Sequence, residues 1–197
     1  MSKETILEAA AQIFSEKGFH AASMQDIARS VNLQKASLYH HVSSKQEILL
    51  ELLDRALDIL IEQIGPIVAQ ASSPEIKLQL AMQAYLQILT DQRGLSAVLL
   101  FEHRSLSDEL QSRHLPRRDR FEGLWRSLIR EGVNAGIFVC EDPAQATRSL
   151  LGVMNWTLTW YRADGPLTAR EIADQYASLF LNGLLKRAQQ GCKNQKS

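Results

Sequence analysis

The stretch of sequence that decides the fold is Ser23-Met-Gln-Asp-Ile-Ala-Arg-Ser-Val-Asn-Leu-Gln-Lys-Ala-Ser-Leu-Tyr-His-His-Val42. Ser23 and Asp26 have the spacing of a capping box, which predicts the start of a short helix over about 24–31. Asn32 follows where the chain must turn, and asparagine tolerates a left-handed backbone best after glycine. A second short helix comes next. Two short helices joined by a tight turn are typical of a helix-turn-helix unit.

The second short helix, expected over about 34–41, presents a polar face. Leu38 points back into a small core with Ile27 and Val31, so the opposite side faces outwards. That side carries hydrogen-bonding side chains of lengths suited to base edges and phosphates, namely Gln34, Lys35, Ser37, Tyr39 and His40. The residues alone leave two interpretations open, a helix that reads DNA or an ordinary helical corner with a solvated polar face.

The rest of the chain also has the apolar periodicity of helices. Further helices are expected over 3–17, 44–65, 74–92, 95–104, 107–136, 142–162 and 168–189. Gly65-Pro66 is expected to end or kink the long helix, and Pro116 to interrupt or restart the helix that begins at Ser107. No segment alternates in the manner of a strand. The predicted fold class is therefore all-α, with nine or ten helices.

Two parts of the chain differ in texture. Residues 1–47 hold short helices with small residues between them and predict a three-helix domain with the helix-turn-helix unit. Residues 48–189 hold longer, more apolar helices and predict a larger helical domain. The long helix from Ser44 belongs to both domains, so the connection is predicted to be rigid. Residues 190–197 predict a basic, disordered tail.

The composition of the 197-residue chain excludes several classes of protein. No run approaches about 18 apolar residues, so no membrane span is expected, and the N-terminus lacks the apolar core of a signal peptide. Cys140 and Cys192 are too few for a disulfide scaffold, which favours a cytoplasmic protein with free thiols. The 22 Lys and Arg residues equal the 22 Asp and Glu residues, so the total charge does not indicate a polyanionic partner.

The sequence lacks the residue constellations on which enzymes depend. It has no glycine-rich phosphate loop, no serine elbow and no His-Glu-x-x-His motif. His40 and His41 are adjacent, so on a helix they diverge by roughly 100° and make a poor metal pair. We therefore expect no enzyme, no cofactor and no metal site. A helical adaptor that binds only proteins is the rival class, and the absence of a salt-sensitive, sequence-selective shift of promoter DNA would favour it.

Four segments resemble the TetR family of bacterial one-component repressors in order and spacing. They are Phe14-Ser-Glu-Lys-Gly-Phe19, Asp26-Ile-Ala28, Ser37-Leu-Tyr-His-His41 and Ser44-Lys-Gln-Glu-Ile-Leu49. The resemblance, over about residues 3–50, implies that the five polar residues of the second helix face operator DNA. It also implies that Ser23 and Lys45 contact backbone phosphates at helix N-termini. Asn32 replaces the family's usual turn glycine and Val42 its usual aromatic residue, which would slightly alter the angle of the recognition helix.

The resemblance also implies a homodimer. Residues 1–47 contain five basic and five acidic residues, so one copy should bind DNA weakly, whereas two copies on a palindromic operator roughly add their binding free energies. The uncharged segment Leu150–Tyr161 must be covered on all sides. The last helix has a similar apolar surplus, and Gly183 would permit close approach. In TetR-like regulators the last two helices form a four-helix bundle across the dimer axis; the alternative is a purely intramolecular core.

The C-terminal part looks like the TetR-like regulators of fatty-acid and sterol-ring degradation, which sense acyl-CoA thioesters. Asn155–Thr168, Arg130-Glu-Gly132 and Gly136-Ile-Phe138 carry this resemblance. It implies that a small apolar effector, best an acyl-CoA, occupies an apolar tunnel and releases DNA. The residues assigned to the effector are Leu99, Phe101, Phe121, Trp125, Asn155, Trp156 and Trp160.

A cluster of arginines in the adjoining stretch could bind the CoA phosphates. Its members are Arg104, Arg113, Arg117, Arg118, Arg120 and Arg126. Three alternatives stay open: the tryptophans pack in the core, the arginines form a solvated helix face, or the effector is a hydrophobic molecule without CoA.

Overall fold

The computed structural model describes residues 2–184, and within this range the chain forms nine α-helices and no β-strand. The helices are α1 (Lys3–Lys17), α2 (Met24–Ser30), α3 (Lys35–Leu38), α4 (Lys45–Ala69), α5 (Pro74–Asp91), α6 (Arg93–Ala97), α7 (Asp108–Asn134), α8 (Pro143–Trp160) and α9 (Ala169–Leu184). The predicted all-α class, with a helix-turn-helix domain followed by a larger helical domain, is confirmed. The predicted tail, 190–197, lies outside the described residues.

The first three helices begin and turn where local chemistry requires. The Ser23 hydroxyl accepts a hydrogen bond from the Asp26 N–H at 3.1 Å, and the Asp26 carboxylate accepts one from the Ser23 N–H at 2.9 Å. This reciprocal pair satisfies donors that a helix start leaves free. Asn32 has a φ of 55°, so the turn between α2 and α3 is left-handed as the sequence predicts. Leu38 is fully buried beneath the turn.

Two apolar clusters hold the chain together. We call residues 2–47 the head and residues 48–184 the body. The core of the head includes Phe14, Ile27 and Leu38, together with residues contributed by the body: Ile48, Leu49, Leu50, Leu52, Leu53, Val98, Leu106 and Leu110. The second cluster lies within the body and joins the rear of α4 with α5, α7, α8 and α9.

The two internal prolines do not end their helices, so the predicted end at Gly65-Pro66 and the predicted interruption at Pro116 are wrong. The helix α4 continues past Pro66 to Ala69, and α7 runs unbroken through Pro116. A proline inside a helix costs about 3 kcal/mol, because a hydrogen bond is lost and the ring crowds the preceding turn. Around Pro116, Arg113, His114 and Arg117 all bind carboxylates of α4, so this stretch of α7 is held against the neighbouring helix.

The segment predicted as one short helix over 95–104 is divided into three kinds of turn. After α6 the chain forms a π-helical turn, Val98–Glu102, and then a 3-10 turn, His103–Ser105. A π-helical turn holds one more residue than an α-helical turn, and such turns often mark functional sites.

The end of α7 carries the motif Arg130-Glu-Gly132 with Gly136-Ile-Phe138. The C=O of Gly132 accepts hydrogen bonds from the Ile137 N–H and the Phe138 N–H, at 2.9 and 3.0 Å. Gly136 has a φ of 70°, which closes this turn. A Cβ at position 132 would collide with the Phe138 ring, so only glycine fits there.

Candidate DNA-binding face and ligand cavity

The short helix α3 and its flanks carry the polar face that the sequence predicts. Gln34, Lys35, Tyr39 and His40 are exposed, and Ser37 is half-buried. Tyr39 keeps 47% of its surface exposed although it is a large aromatic residue. Within residues 2–184 none of the five side chains is hydrogen-bonded to another residue. Donors and acceptors that the fold leaves free in this way are available to base edges and phosphates.

At the start of α2 the Ser23 hydroxyl is engaged as the helix cap. It also donates to the Asp26 carboxylate at 2.6 Å, and Lys17 lies 3.3 Å from the same carboxylate. The hydrogen bonds from Ser23, helped by Lys17, lower the pKa of Asp26 to about 2. The Asp26 carboxylate is therefore ionised at neutral pH and lies in the first turn of α2.

Lys45 has a structural role that the sequence does not reveal. Its ammonium donates to the C=O of Phe19 at 2.8 Å and to the C=O of Ala22 at 2.7 Å. It also lies 4.3 Å above the centroid of the Phe19 ring. These contacts tie the loop between α1 and α2 to the first turn of α4.

A cavity of about 260 Å³ lies inside the body, between α4, α5, the π-helical turn, α7 and α8. Three of the residues predicted to bind an effector line it, namely Leu99, Phe121 and Asn155. The Tyr85 hydroxyl donates to Asn155 Oδ1 at 2.6 Å, and burial raises the pKa of Tyr85. Tyr85 also lines the cavity, and the remaining lining residues are Leu57, Leu100, His103, His114, Arg118, Glu122 and Leu151.

The other four predicted effector residues do not line this cavity. Trp125 is fully buried in the core, edge-on to Tyr85 at 5.7 Å between ring centroids. Phe101, Trp156 and Trp160 are exposed on the surface. One of these four aromatic rings therefore packs in the core and the other three lie on the surface, so they do not line a shared tunnel.

A groove of about 590 Å³ adjoins the cavity and shares His103, His114 and Arg118 with it. Its other lining residues are Arg104, Asp108, Gln111, Ser112 and Leu115. Burial lowers the pKa of His103, and the charge of Arg104 lowers it further. The cavity therefore opens from an apolar interior into a polar groove with two arginines.

The arginine cluster is divided between different surfaces. Arg104 and Arg118 line the groove, whereas Arg113 binds Glu47 at 2.9 Å on the side of α7 that faces α4. Arg117 binds both Asp54 and Asp58 of α4, at 2.7 and 2.9 Å. Arg126 pairs with Glu122 at 3.8 Å. Only part of the predicted cluster thus faces the cavity.

Sequence reasoning missed the two histidines of the cavity. Neither His103 nor His114 has a local motif, since the fold alone brings them to the same opening. His114 is 6% exposed, and its Nδ1 donates to Asp54 Oδ1 at 2.7 Å. This bond joins the cavity wall to the long helix that begins beside the head.

The segment between α6 and α7 connects the cavity to the head. Leu99, Leu100 and His103 face the cavity from this segment. The Gln46 side chain of α4 donates to the Ser105 C=O at 2.9 Å and accepts from the Ser107 N–H at 3.1 Å. The same short stretch therefore contacts both the cavity and the base of the head.

The last two helices leave an apolar face uncovered. On α8, Leu150, Met154 and Leu158 are buried, whereas the opposite side carries Val153, Trp156 and Trp160. Trp156 on α8 and Leu179 on α9 are each 67% exposed. Several large apolar side chains exposed on neighbouring helices are typical of a surface that another protein covers.

Residues 2–184 contain neither a candidate metal site nor a candidate membrane span. No cluster of three or more His, Cys, Asp or Glu side chains is placed to hold a metal ion. No helix there is both long enough and apolar enough to cross a membrane.

A helix-turn-helix unit joined through one long helix to a larger helical body is the architecture of a DNA-binding regulator. Two family models match the chain: "Bacterial regulatory proteins, tetR family" over residues 6–52 and "Tetracyclin repressor-like, C-terminal domain" over residues 71–184. The second spans more than half of the chain. The protein belongs to the TetR family of transcriptional regulators, which are not enzymes.

Several known regulators are similar over nearly the whole chain. The HTH-type transcriptional repressor KstR2 of Mycobacterium tuberculosis is 28% identical over 183 residues, 92% of each chain. The crystal structure of the regulator PfmR from Thermus thermophilus is 39% identical, with a TM-score of 0.83, covering 92% of this chain and 99% of PfmR. AibR in complex with isovaleryl coenzyme A and operator DNA is 27% identical, with a TM-score of 0.84, covering 90% and 96%.

Proposed function

We propose that the protein is a dimeric transcriptional repressor that an acyl-CoA thioester releases from a palindromic operator. The observation that carries the effector is the cavity of about 260 Å³, which opens into a groove lined by Arg104 and Arg118. An acyl-CoA has the same division into an apolar acyl chain and an anionic nucleotide. The complex of AibR with isovaleryl coenzyme A supports this assignment.

The size of the cavity favours a short acyl chain. Pockets for drug-sized ligands measure about 300–1,000 Å³, so a volume of about 260 Å³ is small for a sterol ring system or a long fatty chain. Leu57, Leu99, Phe121 and Leu151 supply the apolar walls. The phosphates would lie outside in the groove, where arginines bind them with charge-assisted hydrogen bonds.

The DNA-binding residues of this proposal are those of the exposed polar face. Gln34, Lys35, Ser37, Tyr39 and His40 would enter the major groove or bind its edges. Ser23 would place the N-terminus of α2 on a phosphate. Lys45 also stays in the proposal, because an ammonium has three donors and two of them are used inside the head.

The dimer would form through the uncovered apolar faces of α8 and α9. Two heads of one dimer would then read half-sites about one helical turn of DNA apart, 10–10.5 base pairs, or multiples of that. A ligand in the cavity would change their separation through α4. A protein that acts on operator DNA works where a bacterium keeps its DNA, in the cytoplasm.

Selection from a pool of random duplexes tests the DNA-binding part of the proposal. The bound duplexes should share an inverted repeat, and binding should weaken steeply with salt. A pool without any enriched sequence, or binding that does not respond to salt, would favour the helical adaptor.

Titration of the complex with an acyl-CoA panel tests the effector. Isovaleryl-CoA and other short-chain thioesters should release the selected operator at micromolar concentration, whereas CoA alone and the free acids should release it much less. Arg118→Gln should weaken this response, and Arg120→Gln is the matched control because Arg120 lines neither the cavity nor the groove. Equal release by free acid and thioester would indicate a hydrophobic effector without CoA.

A further inference from the structure

His114 lies at the opening of the cavity and is also hydrogen-bonded to α4. Its ring lines both the cavity and the adjoining groove, although the residue is only 6% exposed. Its Nδ1 is bonded to Asp54 of α4 at 2.7 Å. Its Nε2 has no hydrogen-bond partner within residues 2–184. A buried imidazole with one nitrogen bonded to the protein and the other unpaired beside a cavity has one polar contact left for a ligand.

The bond with Asp54 also selects which ligand group can pair with Nε2. A carboxylate accepts hydrogen bonds, so Nδ1 carries the proton that it shares with Asp54. Nε2 is then the ring nitrogen left for the ligand, and in the neutral form of the ring its lone pair accepts a hydrogen bond. In an acyl-CoA the pantetheine arm carries amide N–H groups close to the thioester, at the depth where a cavity meets a groove. A free acid has no such N–H.

The same bond connects His114 to α4, the long helix shared by the head and the body. Asp54 lies nine residues after Lys45, about 14 Å along α4 at 1.5 Å per residue. Arg117 bridges Asp54 and Asp58, so the contacted turn of α4 is held on α7 by ionic hydrogen bonds on both sides. A movement of the His114 ring is therefore passed to a stiff part of the helix.

We propose that His114 accepts a hydrogen bond from the pantetheine amide of the bound thioester, and that its bond to Asp54 couples binding in the cavity to the position of α4. The inference rests on the proposed function and names the residue that connects the effector to α4. His103 lines the same opening but has no side-chain hydrogen bond to α4 among the described residues. It therefore provides a comparison at the same site.

Two substitutions separate the two nitrogens of the ring. The side-chain amide of asparagine reaches the position of Nδ1, and that of glutamine reaches the position of Nε2. His114→Asn should keep the bond to Asp54 and lose the ligand contact. His114→Gln should keep the ligand contact and lose Asp54.

The experiment measures two affinities for each variant. Calorimetry gives the affinity for isovaleryl-CoA and for its minimal mimic S-isovaleryl-N-acetylcysteamine, which keeps one amide N–H and lacks the nucleotide. Fluorescence anisotropy gives the operator affinity with and without saturating thioester. Thermal unfolding and circular dichroism establish that each variant is folded.

We expect opposite losses in the two variants. His114→Asn should bind either thioester roughly tenfold more weakly, the loss of about one hydrogen bond, with unchanged operator affinity in the absence of ligand. His114→Gln should bind the thioesters within about threefold of wild type, yet the ligand should weaken its operator binding only slightly, against the roughly 5–150-fold typical of coupled sites. Asp54→Ala removes the acceptor of the Nδ1–H bond and should repeat the pattern of His114→Gln. His103→Gln should change ligand affinity without uncoupling it.

Full release of His114→Gln and Asp54→Ala by the thioester, as in the wild type, would overturn this inference and leave the proposed function intact. A wild-type complex that no thioester releases would overturn both. Should the His114 variants fail to fold, Asp54→Ala decides whether the bond carries the signal.

Discussion

The negative charge of Asp26 at the start of α2 stabilises both the hydrogen bonds from Ser23 and the ion pair with Lys17. The carboxylate accepts from the Ser23 backbone and hydroxyl and pairs with Lys17, which lowers its pKa from 3.8 to about 2. A carboxyl with a lowered folded-state pKa stabilises the fold fully above the unfolded value and loses that contribution as pH falls towards the folded value.

Asp26→Asn should therefore reduce the melting temperature most at neutral pH. The difference from wild type should shrink as pH falls from about 4 to about 2, where the wild-type carboxyl also becomes protonated. Thermal unfolding at a series of pH values measures it. Glu8→Gln, which removes an exposed carboxylate of the same domain, is the control and should cause little change. A difference that stays constant down to pH 2 would show that the charge is not responsible.

At the residue scale, local chemistry was predictable and non-local chemistry was not. The capping box at Ser23 and the left-handed turn at Asn32 follow from neighbours within three residues, so the sequence predicts them correctly. The bonds of Lys45 to the Phe19 and Ala22 carbonyls span more than twenty residues. No local pattern announces such partners, because the fold has to form before they meet.

At the scale of elements, we expect Lys45 in the first turn of α4 both to stabilise the α1–α2 loop and to bind DNA phosphate. Lys45→Ala should lower the melting temperature, since it removes two hydrogen bonds to the α1–α2 loop. It should also weaken binding to specific and random DNA alike and reduce the slope of log affinity against log salt by about one. Anisotropy titrations over a range of salt concentrations measure this slope.

Lys35→Ala is the matched control for that experiment. Lys35 is exposed and has no hydrogen bond or ion pair within residues 2–184, so its removal should reduce DNA affinity without changing the melting temperature. A Lys45→Ala variant with a lower melting temperature and an unchanged salt slope would assign Lys45 to the fold alone.

The ends of helices were easier to predict than their interiors. Ser44, Ser73 and Asp142 precede helices as expected. The π-helical turn at Val98–Glu102 was not foreseen, because its apolar residues also suit an α-helix and the choice depends on packing against α1 and α4. The continuity of α7 through Pro116 likewise depends on partners that lie about sixty residues earlier, in α4.

At the scale of the whole molecule, the uncovered faces of α8 and α9 predict the oligomeric state. The wild-type protein should be a dimer at micromolar concentration by light scattering. Trp156→Arg and Leu179→Arg should each shift it towards monomer, because a charge replaces an exposed apolar group in the proposed contact. Val139→Arg, at another exposed apolar residue, in the loop before α8, should not. A monomeric wild type would refute the dimer.

The cavity shows where prediction at this scale ends. Periodicity identifies Trp125, Trp156 and Trp160 as apolar helix residues, but it does not say which face meets the core, a ligand or a second subunit. Arg104 and Arg118 similarly differ from Arg113 and Arg117 only in which neighbouring helix they face. These assignments depend on how helices rotate against one another, which three-dimensional packing decides.

The contribution of Val98, Leu106 and Leu110 to the core of the head limits how this regulator can be rebuilt. A chimera that joined residues 1–47 to the body of another regulator would separate one wall of an apolar core from the rest. The exposed patch would favour aggregation over a new operator preference. A transplant that changes target sequence therefore has to carry two pieces, the N-terminal helices with the first turns of α4 and the segment from α6 to the start of α7. That second piece also lines the cavity, so exchanging the operator specificity would exchange part of the cavity wall with it.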